Sequence, residues 1–179
     1  MTSAREIAQL GAKVLRQTAE TITDVYDPDV LEVIEAMQTT LAAMPGVGLA
    51  APQIGESKQI IIVASRPTPR YPQAPLMEPT VMINPSFEAL SNSQQKDWEG
   101  CLSIPGIRAL VPRYQDIRIR YTDQQGCLVK TELNGFVARI FQHEYDHLLG
   151  KTYLDRVEDN VDIFSESEYQ KLIEEKLSL

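Results

Sequence analysis

His143-Glu144-Tyr145-Asp146-His147 contains both histidines of the chain, with a glutamate beside the first. In a helix, residues four apart lie on one face about one turn apart. Two imidazoles so placed can close on one metal ion, and the glutamate can face a water bound to it. An exposed helix would leave the same residues merely solvated, so the surroundings decide. Leu128 to Leu133 before the motif reads as a strand. The motif helix then runs from about Asn134 to Leu148, with Gly150 where a helix end commonly places glycine.

Working outward, Asp27-Pro28 reads as an N-cap followed by proline at the first helical position. Leu31, Ile34, Met37 (or Gln38) and Leu41 recur at helical spacing, which predicts a helix to about Met44. Ile60-Ile61-Ile62-Val63 reads as a buried strand. The prolines 67, 69, 72, 75 and 79 predict an irregular surface loop over 66–79. Val81-Met82-Ile83 and Ile117-Arg118-Ile119-Arg120-Tyr121 read as strands, the second alternating as a half-solvated antiparallel strand does. Asp123 to Gly126 would turn it into the next strand, where Cys127 is expected to pack in the core. A short helix is expected near 166–177. The sum is α+β: mixed or antiparallel sheets packed around one central motif helix, with helices towards both ends.

The chain has 179 residues, expected to form one domain, with residues 157–179 a short acidic helix or tail. Hydrophobic content of 43% and charged content of 23% are those of an ordinary globular protein. A net charge of −8 argues against free nucleic acid or an anionic membrane as partner. No apolar run approaches a membrane span, and Met1-Thr2-Ser3-Ala4-Arg5-Glu6 has no signal-peptide core, so a cytoplasmic setting is expected. There Cys101 and Cys127 stay reduced, which leaves Cys101 available as a ligand.

A metal at His143 and His147 needs a third protein ligand and an open position. Gly150 fits a pattern in which a third histidine follows, but Tyr153 stands where that histidine would be. Glu166 or Glu168 could complete a zinc-endopeptidase site. The upstream candidate is Cys101, in the loop-like stretch Trp98-Glu99-Gly100-Cys101-Leu102-Ser103, because a thiolate is a strong ligand for Zn(II) or Fe(II).

Three stretches occur in one order. They are Gly46-Val47-Gly48-Leu49-Ala50-Ala51-Pro52-Gln53, Glu99-Gly100-Cys101-Leu102-Ser103 and Gln142-His143-Glu144-Tyr145-Asp146-His147. Together they resemble the three motifs of the peptide deformylases, a likeness that extends from about Arg5 to Arg156 and includes Arg108 to Arg113. The resemblance implies an α+β fold and one divalent metal held by Cys101, His143 and His147. That metal is usually Fe(II), with Zn, Ni or Co able to replace it. The implied reaction removes the formyl group from the N-terminal formylmethionine of new polypeptides and releases formate. Glu144 would act as general base and acid, and Gln53 with the Leu102 backbone N–H would stabilise the oxyanion. Gly48 would let the first-motif loop approach substrate, with Gly100 beside it.

Val47 and Phe136 are candidates for the methionine pocket, and Arg108 and Arg139 for the substrate channel. Glu99 and Arg113 are expected to pair and hold the Cys101 loop. Asp146 is a candidate to steady a ligand histidine or cap backbone. Two features depart from the family pattern. Gly11-Ala12-Lys13 lacks a proline found in many members, and Arg156 to Leu179 holds three Lys or Arg against seven Asp or Glu. That charge disfavours docking on ribosomal RNA phosphates. The expected partners are therefore formylmethionyl nascent chains, met near the ribosome without a basic tail, with no direct nucleic acid, no membrane and a monomeric state.

Overall fold

The all-apolar run Ile60 to Val63 sets the layering, because a strand buried on both faces has no polar alternation. In a computed structural model describing residues 3–68 and 71–177, this run begins strand β2, Ile60–Ser65. Ile60 and Ile62 turn one way, against Val30, Val33, Ile34, Met37 and Leu41 of helix α1, Pro28–Ala42. Ile61 and Val63 turn the other way, against Val137, Ala138, Ile140 and Phe141 of helix α2, Gly135–Leu148. Each such side chain contributes roughly 1.5–3 kcal/mol relative to exposure. The Asp27 side chain caps α1 by accepting from the Asp29 N–H at 2.8 Å.

The sheet between the helices is five-stranded. Its other strands are β1 (Gly48–Ala50), β3 (Met77–Ala89), β6 (Asp116–Thr122) and β7 (Leu128–Asn134), in spatial order β1-β2-β3-β6-β7 with every pairing antiparallel. A second sheet joins β4 (Gln94–Cys101), β5 (Ile104–Tyr114) and β8 (Ile163–Ser165) in the order β4-β5-β8, again antiparallel. Helix α3, Glu166–Leu177, follows β8. The architecture is α+β with α2 in its middle.

Several expectations need correction. Residues 77–79 belong to β3 rather than to the preceding loop; Pro79 falls where the β2–β3 register shifts, between Val63 and Ser65, so its missing N–H does not break the ladder. The loop's Pro69 lies outside the described residues. Glu99-Gly100-Cys101 is not loop but the end of β4, which pairs Trp98 with Leu110 and Cys101 with Ile104. Cys127 is exposed in the β6–β7 turn, where its N–H donates to Asp123 Oδ1 at 2.8 Å. The expected helices at 28–44, 134–148 and 166–177 appear with ends within two residues.

Candidate metal centre

One face of α2 carries Arg139, His143 and His147, and the β4–β5 hairpin covers it. Gln142 ties the two together. Its amide nitrogen donates to Tyr114 O at 2.9 Å, and its amide oxygen accepts from Tyr114 N at 3.1 Å. This brings Cys101 against the histidines: Cys101 Sγ lies 3.3 Å from His147 Nε2, and one donor atom from each of Cys101, His143 and His147 lies within 4.8 Å of the others. A tetrahedral ion with one bond of about 2.3 Å and others of about 2.0 Å has ligand edges of about 3.3–3.5 Å; the Cys101–His147 separation matches such an edge, with the His143 donor close by. A thiolate with two imidazoles suits Zn(II) or Fe(II).

His143 is oriented from behind. Its Nδ1 lies 2.8 Å from Glu99 Oε2, which leaves Nε2 for the centre. Glu99 is buried and also accepts from Arg113 Nε and Nη2 at 2.8 and 3.0 Å and from Arg139 Nη1 at 2.9 Å. Burial alone would raise its pKa, but Arg113 and the His143 contact outweigh that and hold it well below the usual carboxylate range. The expected Glu99–Arg113 pair is present. Asp146 pairs with Arg113 Nη1 at 2.6 Å and Arg156 Nη2 at 2.6 Å, so it steadies Arg113 rather than a histidine ring. The Tyr153 ring stacks on His143 at 5.8 Å, and its hydroxyl donates to Ile107 O at 3.0 Å. Burial, with the charge of His143, holds the His147 imidazole well below its ordinary pKa.

Glu144 is buried, and its Oε2 has no hydrogen-bond partner among the described residues. Burial pushes its carboxyl up to about 7 against the pull of His143. A Cβ on Gly48 would collide with this carboxylate, so glycine in β1 makes room for Glu144. Gln53 is fixed by Ala50 N–H donating to Oε1 at 2.9 Å, which turns Nε2 toward Cys101 Sγ at 3.4 Å and Ser103 Oγ at 3.2 Å. Leu102 follows Cys101 in the hairpin turn, and its side chain packs on the α1 cluster.

The remaining candidates separate. Val47 and Phe136 pack on the α2 cluster. Phe136 and Arg139 line a cavity of about 280 Å³ with Tyr71, Gln95, Asp97 and Gln115. Arg139 is more than a lining residue: it donates to Val111 O and Gln95 O at 2.7 and 2.6 Å as well as to Glu99. Arg108 sits on the outer side of Gly100, bound to Glu166 at 2.6 Å. Glu168 pairs with Lys171 on the surface, so neither glutamate joins the histidines. Sequence reasoning missed Ser103, Tyr71 and Arg156. Only Ser103 carried a signal, by closing the Glu-Gly-Cys-Leu-Ser stretch. Tyr71 is placed by its hydroxyl, which donates to Trp98 O at 2.6 Å, and by its ring 4.4 Å from Phe136.

The chain matches the family model described as polypeptide deformylase over residues 4–162. It is 52% identical to peptide deformylase 2 of Nostoc sp. over 167 residues, 93% of each chain. Among solved structures, a class I type b peptide deformylase from Acinetobacter baumannii with Met-Ala-Ser bound superposes with TM-score 0.84 at 40% identity. That match covers 88% of this chain and all of the other. The peptide deformylase of Thermotoga maritima superposes at 0.76 with 34% identity, over 87% of this chain and 99% of that one.

Proposed function

This chain belongs to the polypeptide deformylase family and is a metal-dependent hydrolase of the N-formyl group on nascent peptides; beyond that, we propose which residues do the work. In this reading Cys101, His143 and His147 hold the divalent ion, Fe(II) in the cell. Glu144 is the general base and acid. The carrying observation is a buried carboxylate with an unpartnered oxygen, next in sequence to His143 and beside three converging donor atoms.

The ion, when bound, supplies Lewis acidity to a water and to the formyl oxygen. Hydrolysis forms a C–O bond at the formyl carbon, breaks its C–N bond and moves a proton to the leaving amine. Burial raises this carboxyl above the ordinary carboxylate range, which suits a group that takes that proton from water and returns it to nitrogen. Charge develops on the formyl oxygen, where a preorganised donor helps most. Gln53 suits this role because Ala50 N–H fixes the sense of its amide. The Leu102 N–H is the second donor.

For the substrate, Val47 and Phe136 share the apolar cluster on α2, and Phe136 opens onto the 280 Å³ cavity; we assign the methionine side chain there. The Met-Ala-Ser held by the Acinetobacter baumannii relative agrees with a methionyl peptide as ligand. Gly48 and Gly100 flank the centre, one beside Glu144 and one beside Cys101. Residues 1–179 act as one catalytic domain, cytoplasmic and monomeric, and among the described residues no helix is long and apolar enough to cross a membrane. Contact with the ribosome does not run through the tail, which carries seven acidic residues against three basic. Salt-sensitive co-sedimentation that is lost on deleting 157–179 would contradict that last point.

The decisive test is formate release from formyl-Met-Ala-Ser by protein loaded anaerobically with Fe(II), beside Glu144→Ala. Rapid release by the wild type, lost in the variant at equal metal content, is expected. A fully metallated wild type that releases no formate overturns the reading.

A further inference from the structure

The C-terminal segment closes over the reverse side of the strand that carries Cys101. Strand β8 pairs with β5 at Ile107↔Ser165, Arg108↔Phe164 and Ala109↔Ile163. Trp98 of β4 packs edge-on against Phe164 at 4.9 Å and Tyr169 at 5.0 Å. Between these contacts lies Arg108. Its Nε donates to Glu166 Oε2 at 2.6 Å, and its guanidinium stands 5.9 Å from the centre of the Tyr169 ring.

The position of that guanidinium matters because of Gly100. Along β4, Glu99 and Cys101 turn toward α2, whereas Gly100 turns outward, and a Cβ there would fall inside the Arg108 guanidinium. The β4–β5 register is also irregular between Glu99 and Cys101, so the regular ladder is interrupted at Gly100. A glycine without a side chain or continuous ladder has the widest backbone freedom available to the chain. Here it separates the carboxylate that orients His143 from the thiol that faces His147. Arg108 is the wall that removes this freedom. It stands on β5 where that strand is paired with β8, at Arg108↔Phe164. Glu166 is what fixes it, and both side chains are largely covered, at 17% and 30% exposure.

We propose that Glu166, acting through Arg108, is a positioning residue for Cys101. The C-terminal helix holds the guanidinium that backs Gly100, and so sets the direction of the thiolate. This rests on the reading of Cys101 as a metal ligand.

The test uses the full-length chain loaded with Co(II), as wild type, Glu166→Gln and Lys171→Gly. The last variant weakens α3 while leaving the Arg108–Glu166 pair in place. Absorption in the thiolate-to-cobalt charge-transfer region, cobalt loss to a chelator, kcat, KM and melting temperature are read together. In Glu166→Gln the charge-transfer band shifts, cobalt loss quickens by about tenfold and kcat falls at constant KM, the scale seen when groups that orient metal ligands are removed. Lys171→Gly keeps the wild-type band and release rate. A wild-type band and release rate in Glu166→Gln overturn the proposal, and so does an equal change in Lys171→Gly. A wild type that binds cobalt with no thiolate band overturns instead the ligand role of Cys101, and the proposal with it.

Discussion

Replacing Gly48 by Ala tests whether this glycine serves Glu144 or the substrate. An ideal Cβ at Gly48 would lie 2.8 Å from Glu144 Cδ and 2.9 Å from Cγ, with Oε1 closer still. Carbon atoms in good contact sit about 3.5–4.0 Å apart, so the carboxylate must move by about 1 Å. It has little room to do so, being buried beneath β1 on a helix packed into the core. A displacement of that size at a reacting group costs about 100-fold in rate. Overpacking should cost about 1–3 kcal/mol of stability. We therefore expect kcat for formate release to fall about 100-fold, with KM and metal content close to wild type. Had Gly48 served only to admit the peptide backbone, the same change would raise KM and spare kcat. Gly46→Ala is the internal control. Its Cβ meets Leu102 Cδ1 at 3.2 Å, the end of a flexible side chain, and should change kcat by less than about threefold. A Gly48→Ala enzyme with wild-type kcat at full metal loading would refute the steric argument.

Glu144→Gln should also report on stability in metal-free protein. The carboxyl ionises near 4.5 when exposed and at about 7 in the fold, so the folded state keeps a proton that the unfolded state has released. Stability therefore falls as pH rises from 4.5 to 7, by about 3 kcal/mol in all. Glu144→Gln removes this loss: urea unfolding should show the variant more stable by up to about 3 kcal/mol at pH 8 and unchanged at pH 4, and equal gains at both would refute it. Arg113→Leu removes a buried charged partner from both Glu99, which keeps Arg139 and His143, and Asp146, which keeps Arg156, at a cost of about 3–5 kcal/mol. A melting temperature lowered by about 10 °C is expected by calorimetry, and one unchanged within 2 °C or so would show the network to be dispensable.

What the sequence showed and what it hid follow from how local each cause is. Helices α1 and α2 were legible because Asp27-Pro28 and the apolar spacing act within one turn or two. Strand β2 was legible because burial on both faces leaves an unbroken apolar run. The hairpin of β4 and β5 was not, since the stretch around Gly100 read as loop and its pairing depends on a partner. The usable signal was Ile107, Ala109 and Val111 alternating along β5, where Ala109 and Val111 are fully buried. Cys127 misled because a lone cysteine is most often buried, whereas the turn set by Asp123 holds it outward. At the site, the two histidines alone left the third ligand open; the fold brings Cys101 beside them, while Glu166 and Glu168 pair with Arg108 and Lys171. The second role of Arg139 was hidden because its partners Glu99, Val111 and Gln95 are all distant in sequence.

The site stands where two differently built elements meet, and this explains the density of charge around it. Helix α2 is rigid by its own hydrogen bonds and its packing on the five-stranded sheet. The strand bearing Cys101 lacks that security, because its ladder shifts register one residue before the thiol. With Cys101 as the proposed ligand, a loosely held strand would let the three donor atoms drift apart by more than a metal bond tolerates. Charged side chains supply the missing stiffness from both sides. On the inner side Glu99 ties the strand to His143, Arg113 and Arg139, and on the outer side Arg108 lies against Gly100. The inner ties are buried, where removing one partner from a charged group costs more than it would in water. The outer tie is partly exposed and depends on a glutamate of the C-terminal helix. As the more exposed of the two it is the one whose loss costs less stability, and Glu166 is therefore the position at which to test whether the geometry of the centre separates from the stability of the fold.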